Sequence, residues 1–242
     1  MKDKKIKIYA IVVTIFFILA TIAFGMVFFR ENYPQRIAVR MGWIDNDENR
    51  EINYAVRGWN NTLEKLDYDA DIVFFGDSIT AQSDFREYFP EKKIVTLGYP
   101  GDNLLGMQER VEGVAAVNPE QVFVLGGING LKSYTEQVGL ERYDTLLSML
   151  KEQLPNAEIY VISVLPISKD KELEVCSNEV INDFNSELVL LVDKYGFTYV
   201  DIHSLYVDNN GAMDENLTKD GVHLYSEAYD KWAEKIRPFI EK

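Results

Sequence analysis

Five short apolar runs recur along the chain: "DIVFFG" (71–76), "KIVTLG" (93–98), "QVFVLGG" (121–127), "EIYVISVL" (158–165) and "FTYVDI" (197–202). Helix-like stretches lie among them near 103–117, 133–153 and 177–195, and a last one spans about 225–240. Strands that are apolar on both faces cannot leave one face in water, so alternation with amphipathic helices predicts a parallel sheet covered on both sides. The expected class is α/β, with five parallel strands. The chain shows no internal repeat and no low-complexity segment.

An uncharged run from Ile8 to Phe29 precedes this pattern, behind Lys2, Lys4, Lys5 and Lys7. At about 1.5 Å per residue it spans roughly 33 Å, enough for the hydrocarbon core of a bilayer. A cleaved signal peptide is the competing reading, but its apolar region runs about 7–15 residues and ends at a small-x-small site, which Ala20 and Ala23 fit poorly. Lysines before the run predict the N-terminus inside and the following domain outside. The expected organisation is a cytoplasmic and transmembrane anchor (1–30), a stalk and leading helix (31–69) and one domain (70–242) of a size that supports a single core. Trp59, Leu63 and Leu66, at near-helical spacing in the stalk, are expected to pack on that domain.

Charge narrows the partners. Residues 31–242 hold 20 basic and 38 acidic side chains, a net charge of −18. Such an excess repels phosphate backbones and anionic lipid, so nucleic acid is not an expected partner and neutral or cationic ones are favoured. Cys176 is the single cysteine, so neither an intrachain disulfide nor a CxxC pair can form.

The carboxyl ends of the first three expected strands read "GDSIT", "GYPGDN" and "GGING". In open α/β sheets ligands bind at this edge, and glycine there permits close backbone approach. The turns carry the Ser78 hydroxyl, the Gly101 N–H and the Asn129 carboxamide, which can converge on one crevice. Ser78 also fits a helix cap, and Gly-rich turns are common in such folds. A serine nucleophile requires a base, and imidazole suits that task. Of the two histidines, His203 follows a strand in "VDIHSLY", where a backbone carbonyl would hold its ring. His223 lies in "TKDGVHLYSEAY" before the last helix, with Asp220 three residues earlier, close enough to orient the imidazole or, alternatively, to cap that helix.

Four blocks in order, "GDSIT", "GYPGDN", "GING" and "DGVH", resemble those of the SGNH, or GDSL, hydrolase family over roughly residues 70–240. The resemblance implies a flavodoxin-like three-layer α/β/α sandwich that hydrolyses esters without a metal or other cofactor. It implies Ser78 as nucleophile, His223 as base and Asp220 as the acid orienting His223. The Ser78 N–H, the Gly101 N–H and the Asn129 side chain would form the oxyanion hole. The chain departs from the family at Gly130, where an aspartate commonly follows the asparagine, so the support for Asn129 is not visible in the sequence. The ordinary α/β-hydrolase elbow, Gly-x-Ser-x-Gly, is absent because Thr80 replaces its second glycine.

No long apolar insertion lies between the blocks from which to build a deep acyl tunnel. The expected substrate is therefore a small-molecule or glycan ester, with a short acyl group such as acetate on extracellular carbohydrate. Lysophospholipid or long-acyl hydrolysis and O-acyl transfer on the same residues are the alternatives, and a non-catalytic surface binding module is the reading from another class. Protein partners are not specified by the sequence.

Overall fold

The computed structural model describes residues 68–241, together with Thr14 and Thr21, which are helical and exposed. The chain divides into compact units at 1–45 and 46–242, and the fold below belongs to the second. The apolar run at 8–29 and the stalk helix lie outside the described residues, apart from those two threonines. No helix among the described residues is long and apolar enough to cross a membrane.

Five strands form one parallel sheet: β1 (Ile72–Gly76), β2 (Ile94–Gly98), β3 (Gln121–Leu125), β4 (Glu158–Ile162) and β5 (Thr198–Val200). Their spatial order is β2-β1-β3-β4-β5, with every neighbouring pair parallel. This is the flavodoxin-like order, whose switch point lies between β1 and β3. Among residues 68–241, six α-helices accompany the sheet: α1 (Ser78–Ala81), α2 (Leu104–Ala115), α3 (Ile128–Leu131), α4 (Glu136–Gln153), α5 (Asn178–Tyr195) and α6 (Tyr229–Ile240). The expected α/β/α sandwich with a five-stranded parallel sheet is the observed fold.

Register explains the core. Phe74, Phe123 and Tyr160 are cross-strand partners, so their rings stack in a row on one sheet face, with centroids 5.1 and 4.6 Å apart. Phe85 stacks on Phe74 at 3.8 Å and meets Trp232 of α6 edge-on, while Phe239 of α6 packs on Tyr160. Burying each such ring stabilises by about 1.5–3 kcal/mol, and ring pairs add about 0.5–1.5 kcal/mol. Phe75 points to the opposite face, where α2 covers it with Arg110, and α4 packs between α2 and α5.

Two strands end earlier than their apolar runs. β4 stops at Ile162 because side chains take over the pairing. The Ser163 hydroxyl accepts from Ile202 N–H and His203 N–H, and the Asn185 carboxamide brackets both backbone groups of Val164. The same Ser163 contacts draw residues 202 and 203 out of the β5 ladder.

Candidate active site

β1 delivers its chain to the carboxyl edge of the sheet, where Asp77 caps α1 by accepting from Ile79 N–H at 2.9 Å. Ser78 is the first residue of α1, so its own N–H has no acceptor within that helix. The serine is 8% exposed.

His223 comes from the loop before α6. Its Nε2 lies 2.9 Å from the Ser78 Oγ, and its Nδ1 donates to Asp220 Oδ2 at 2.7 Å. The other Asp220 oxygen accepts from His223 N–H at 2.7 Å and Val222 N–H at 3.1 Å. Burial alone would raise the Asp220 carboxyl, yet these backbone and imidazole hydrogen bonds hold it below the ordinary carboxylate range. The Thr218 hydroxyl closes the loop, donating to His223 C=O and accepting from Gly221 N–H. Gly221 has φ +85°, and a Cβ there would lie 2.0 Å from the Ser168 Oγ, so "DGVH" turns only with glycine at this position. The structure thus brings Ser78, His223 and Asp220 into one hydrogen-bonded line.

Gly101 occupies the turn after β2 at φ +80°, whereas Gly98 is the last residue of β2 itself. Asn129 sits in α3, after β3, and its carboxamide donates to Asp102 C=O at 2.8 Å. That contact is the support for Asn129 that the sequence did not reveal, and it comes from backbone. A Cβ on Gly130 would fall 1.5 Å from the Tyr134 hydroxyl, so a side chain at residue 130 would require the Tyr134 ring to move.

His203 lies apart from this line, with its Nδ1 2.9 Å from Val164 C=O. Among the described residues, no group of three or more His, Cys, Asp or Glu side chains is placed to hold a metal ion.

Beneath the site are three buried charged groups that the sequence reading did not single out as functional: Asp77, Asp102 and Arg110, each 2% exposed or less. Arg110 interrupts the apolar stripe of α2 formed by Leu104, Met107, Val111 and Val114. A charge at such a position was the available signal. Burial pushes the Asp77 carboxyl up to about 7, helped by the Asp102 charge and opposed by Ile79 N–H and Arg110. One oxygen of each carboxylate is buried without a hydrogen-bond partner.

Asp77 therefore makes stability depend on pH. Between its ordinary value near 3.8 and about 7 the folded chain keeps a proton that the unfolded chain has lost. Stability contributed by this group should fall as pH rises through that window, by up to about 1.4 kcal/mol per pH unit, and level off above it. Asn caps a helix as well as Asp, so Asp77→Asn should remove this slope while keeping the Ile79 contact. Urea titrations of both proteins from pH 4 to 8 test this, and parallel stability profiles would show that Asp77 does not titrate there.

A parallel α/β sheet with a serine, imidazole and carboxylate aligned at its switch point is the arrangement of a serine hydrolase. The chain belongs to the GDSL-like lipase/acylhydrolase family, whose model matches residues 74–231. A Streptococcus pneumonia protein named as a platelet activating factor superposes with TM-score 0.70 and 22% identity, over 78% of this chain and 92% of its own. A GDSL-like lipase from Bacteroides thetaiotaomicron gives 0.67 and 21%, over 77% and 97%. The acetyl xylan esterase AlAXEase gives 0.58 and 21%, over 69% and 98%. At these identities the likeness is one of fold. No curated protein matches the chain in sequence.

Proposed function

We propose that the protein hydrolyses short-acyl esters, O-acetyl groups on carbohydrate, through an acyl-serine intermediate formed on Ser78. The observation that carries the chemistry is the line from Ser78 Oγ through His223 to Asp220, at 2.9 and 2.7 Å. His223 Nε2 takes the Ser78 proton as Oγ attacks the ester carbonyl, and Asp220 steadies the imidazolium. The oxyanion of the tetrahedral intermediate is met by the N–H groups of Ser78 and Gly101 and by Asn129. Collapse expels the alcohol, which leaves with the proton from His223. Water, deprotonated by the same imidazole, then releases the acid.

Two observations support a short acyl group on a hydroxyl-rich alcohol. A cleft of about 500 Å³ opens beside the end of α1 and along β2, lined by Ala81, Gln82, Ser83, Asp84, Arg86, Ile94, Thr96 and Gly98 and by none of Ser78, Gly101, Asn129, Asp220 or His223. Amide, hydroxyl, carboxylate and guanidinium groups can hydrogen-bond a sugar, whereas a long acyl chain would forgo about 0.8 kcal/mol for each CH₂ left in water. An acetyl xylan esterase also shares the fold. The test is kcat/KM for nitrophenyl esters of two to twelve carbons, beside acetate release from acetylated glycans. Highest values for acetate and release of acetate are expected. A steady rise toward twelve carbons with no acetate from any glycan would overturn the substrate.

We also propose an outside location, with the domain tethered by the run at 8–29. Protease added to intact, wall-stripped cells should digest the domain and spare a cytosolic control. Protection until lysis would reverse the orientation.

A further inference from the structure

Oxyanion donors act only if they are held where charge develops, and two of the three here follow different strands, Gly101 in the turn after β2 and Asn129 in α3 after β3. What fixes the turn after β2 relative to Ser78 is visible below it. The Arg110 guanidinium, buried on α2, donates from Nε and Nη2 to Asp102 Oδ2 at 2.8 and 2.5 Å. Its Nη2 also donates to Gly76 C=O at 2.8 Å, and its Nη1 to Leu97 C=O at 2.7 Å. One planar fork therefore joins the end of β1, two residues before Ser78, to the end of β2 and to the residue following Gly101. The Phe75 ring lies against the guanidinium at 4.7 Å, fixing its plane. Asp102 in turn presents its backbone C=O to Asn129. Stability gives no sufficient reason for such a group, because an apolar replacement of a buried ion pair is often neutral or stabilising. A fork with several fixed donors does explain it, and a lysine cannot reproduce that geometry.

We propose that Arg110 is a positioning residue of the oxyanion hole, setting Gly101 through the side chain of its neighbour Asp102 and Asn129 through the Asp102 carbonyl, in register with Ser78. The role rests on the serine-hydrolase reading above. It predicts loss in the transition state with little change in ground-state binding, because the hole is filled only as the carbonyl oxygen becomes an oxyanion.

The experiment is a double-mutant cycle on the full chain, reading kcat, KM and fluorophosphonate labelling of Ser78. Asn129→Ala should lower kcat by about 10²–10³-fold. Arg110→Lys should lower kcat by roughly 10- to 100-fold, with KM within about twofold, and should slow labelling in parallel. On the Asn129→Ala background the same change should cost only about threefold, the share that acts through Gly101, since Asn129, the other donor it positions, is gone; a general loss of folded protein would instead multiply equally on both backgrounds. Asp102→Asn, isosteric and with its backbone carbonyl kept, takes the same place in the cycle if Arg110→Lys does not fold. Equal fold-losses on both backgrounds, or a folded Arg110→Lys enzyme within threefold of wild-type kcat, would overturn the role while leaving the nucleophile in place. A wild-type protein that neither labels at Ser78 nor cleaves any ester would remove the serine reading and this role with it.

Discussion

His223→Ala is expected to lower kcat for any ester the enzyme accepts by at least about 10³-fold, to the level of Ser78→Ala, while His203→Ala stays within threefold of wild type. The contrast follows from what each ring touches. His223 Nε2 faces the Ser78 Oγ at 2.9 Å, so its loss leaves a hydroxyl with no group to take its proton. His203 Nδ1 donates to Val164 C=O, and a backbone carbonyl takes no part in proton transfer. Both variants must first be shown folded by circular dichroism, because His203 belongs to the Ser163 and Asn185 network that ends β4 and β5. Equal losses in two folded variants would dismiss the assignment of base. The paired Ser78→Ala measurement adds a second check. If serine and base act as one unit, removing both should cost no more than removing either.

The parts of this molecule that were legible in the sequence are those written in local pattern. Apolar runs such as "DIVFFG" and "QVFVLGG" report a strand buried on both faces, and their glycines mark the turns at its end. The "DGVH" turn places Asp220 and His223 three residues apart, so its geometry is largely local as well. What remained hidden was contact between distant segments. Nothing in "GING" says that Asn129 leans on the carbonyl of Asp102, 27 residues earlier, or that Tyr134 occupies the room beside Gly130. Backbone acceptors leave no trace in side-chain identity. Arg110 was the exception, a charge within an apolar stripe, and it called for a buried partner whose identity only the fold supplies. The early ends of β4 and β5 have the same origin, since Ser163 and Asn185 replace ladder bonds by side-chain bonds that periodicity does not encode.

Asp220→Asn should be more damaging than Asp220→Ala, lowering kcat by about 10³–10⁴-fold, for a reason that lies in the backbone of the loop. One carboxylate oxygen accepts from the N–H groups of both His223 and Val222, and the other accepts from His223 Nδ1. In an asparagine the two backbone donors select the carboxamide oxygen, because an NH₂ group cannot accept from them. The NH₂ group must then face the ring, where it can be satisfied only by an Nδ1 without a proton. The proton moves to Nε2, and an imidazole protonated there cannot accept from the Ser78 hydroxyl. Alanine removes the orienting carboxylate but leaves the ring free to adopt the productive tautomer, so its loss should be smaller, about 10²-fold. The measurement is kcat for both variants at one pH, with the positions of the ring protons read by ¹⁵N NMR of labelled histidine. An asparagine variant at least as active as the alanine variant, or one whose His223 still carries its proton on Nδ1, would show that Asp220 acts through its charge alone and not by selecting the tautomer.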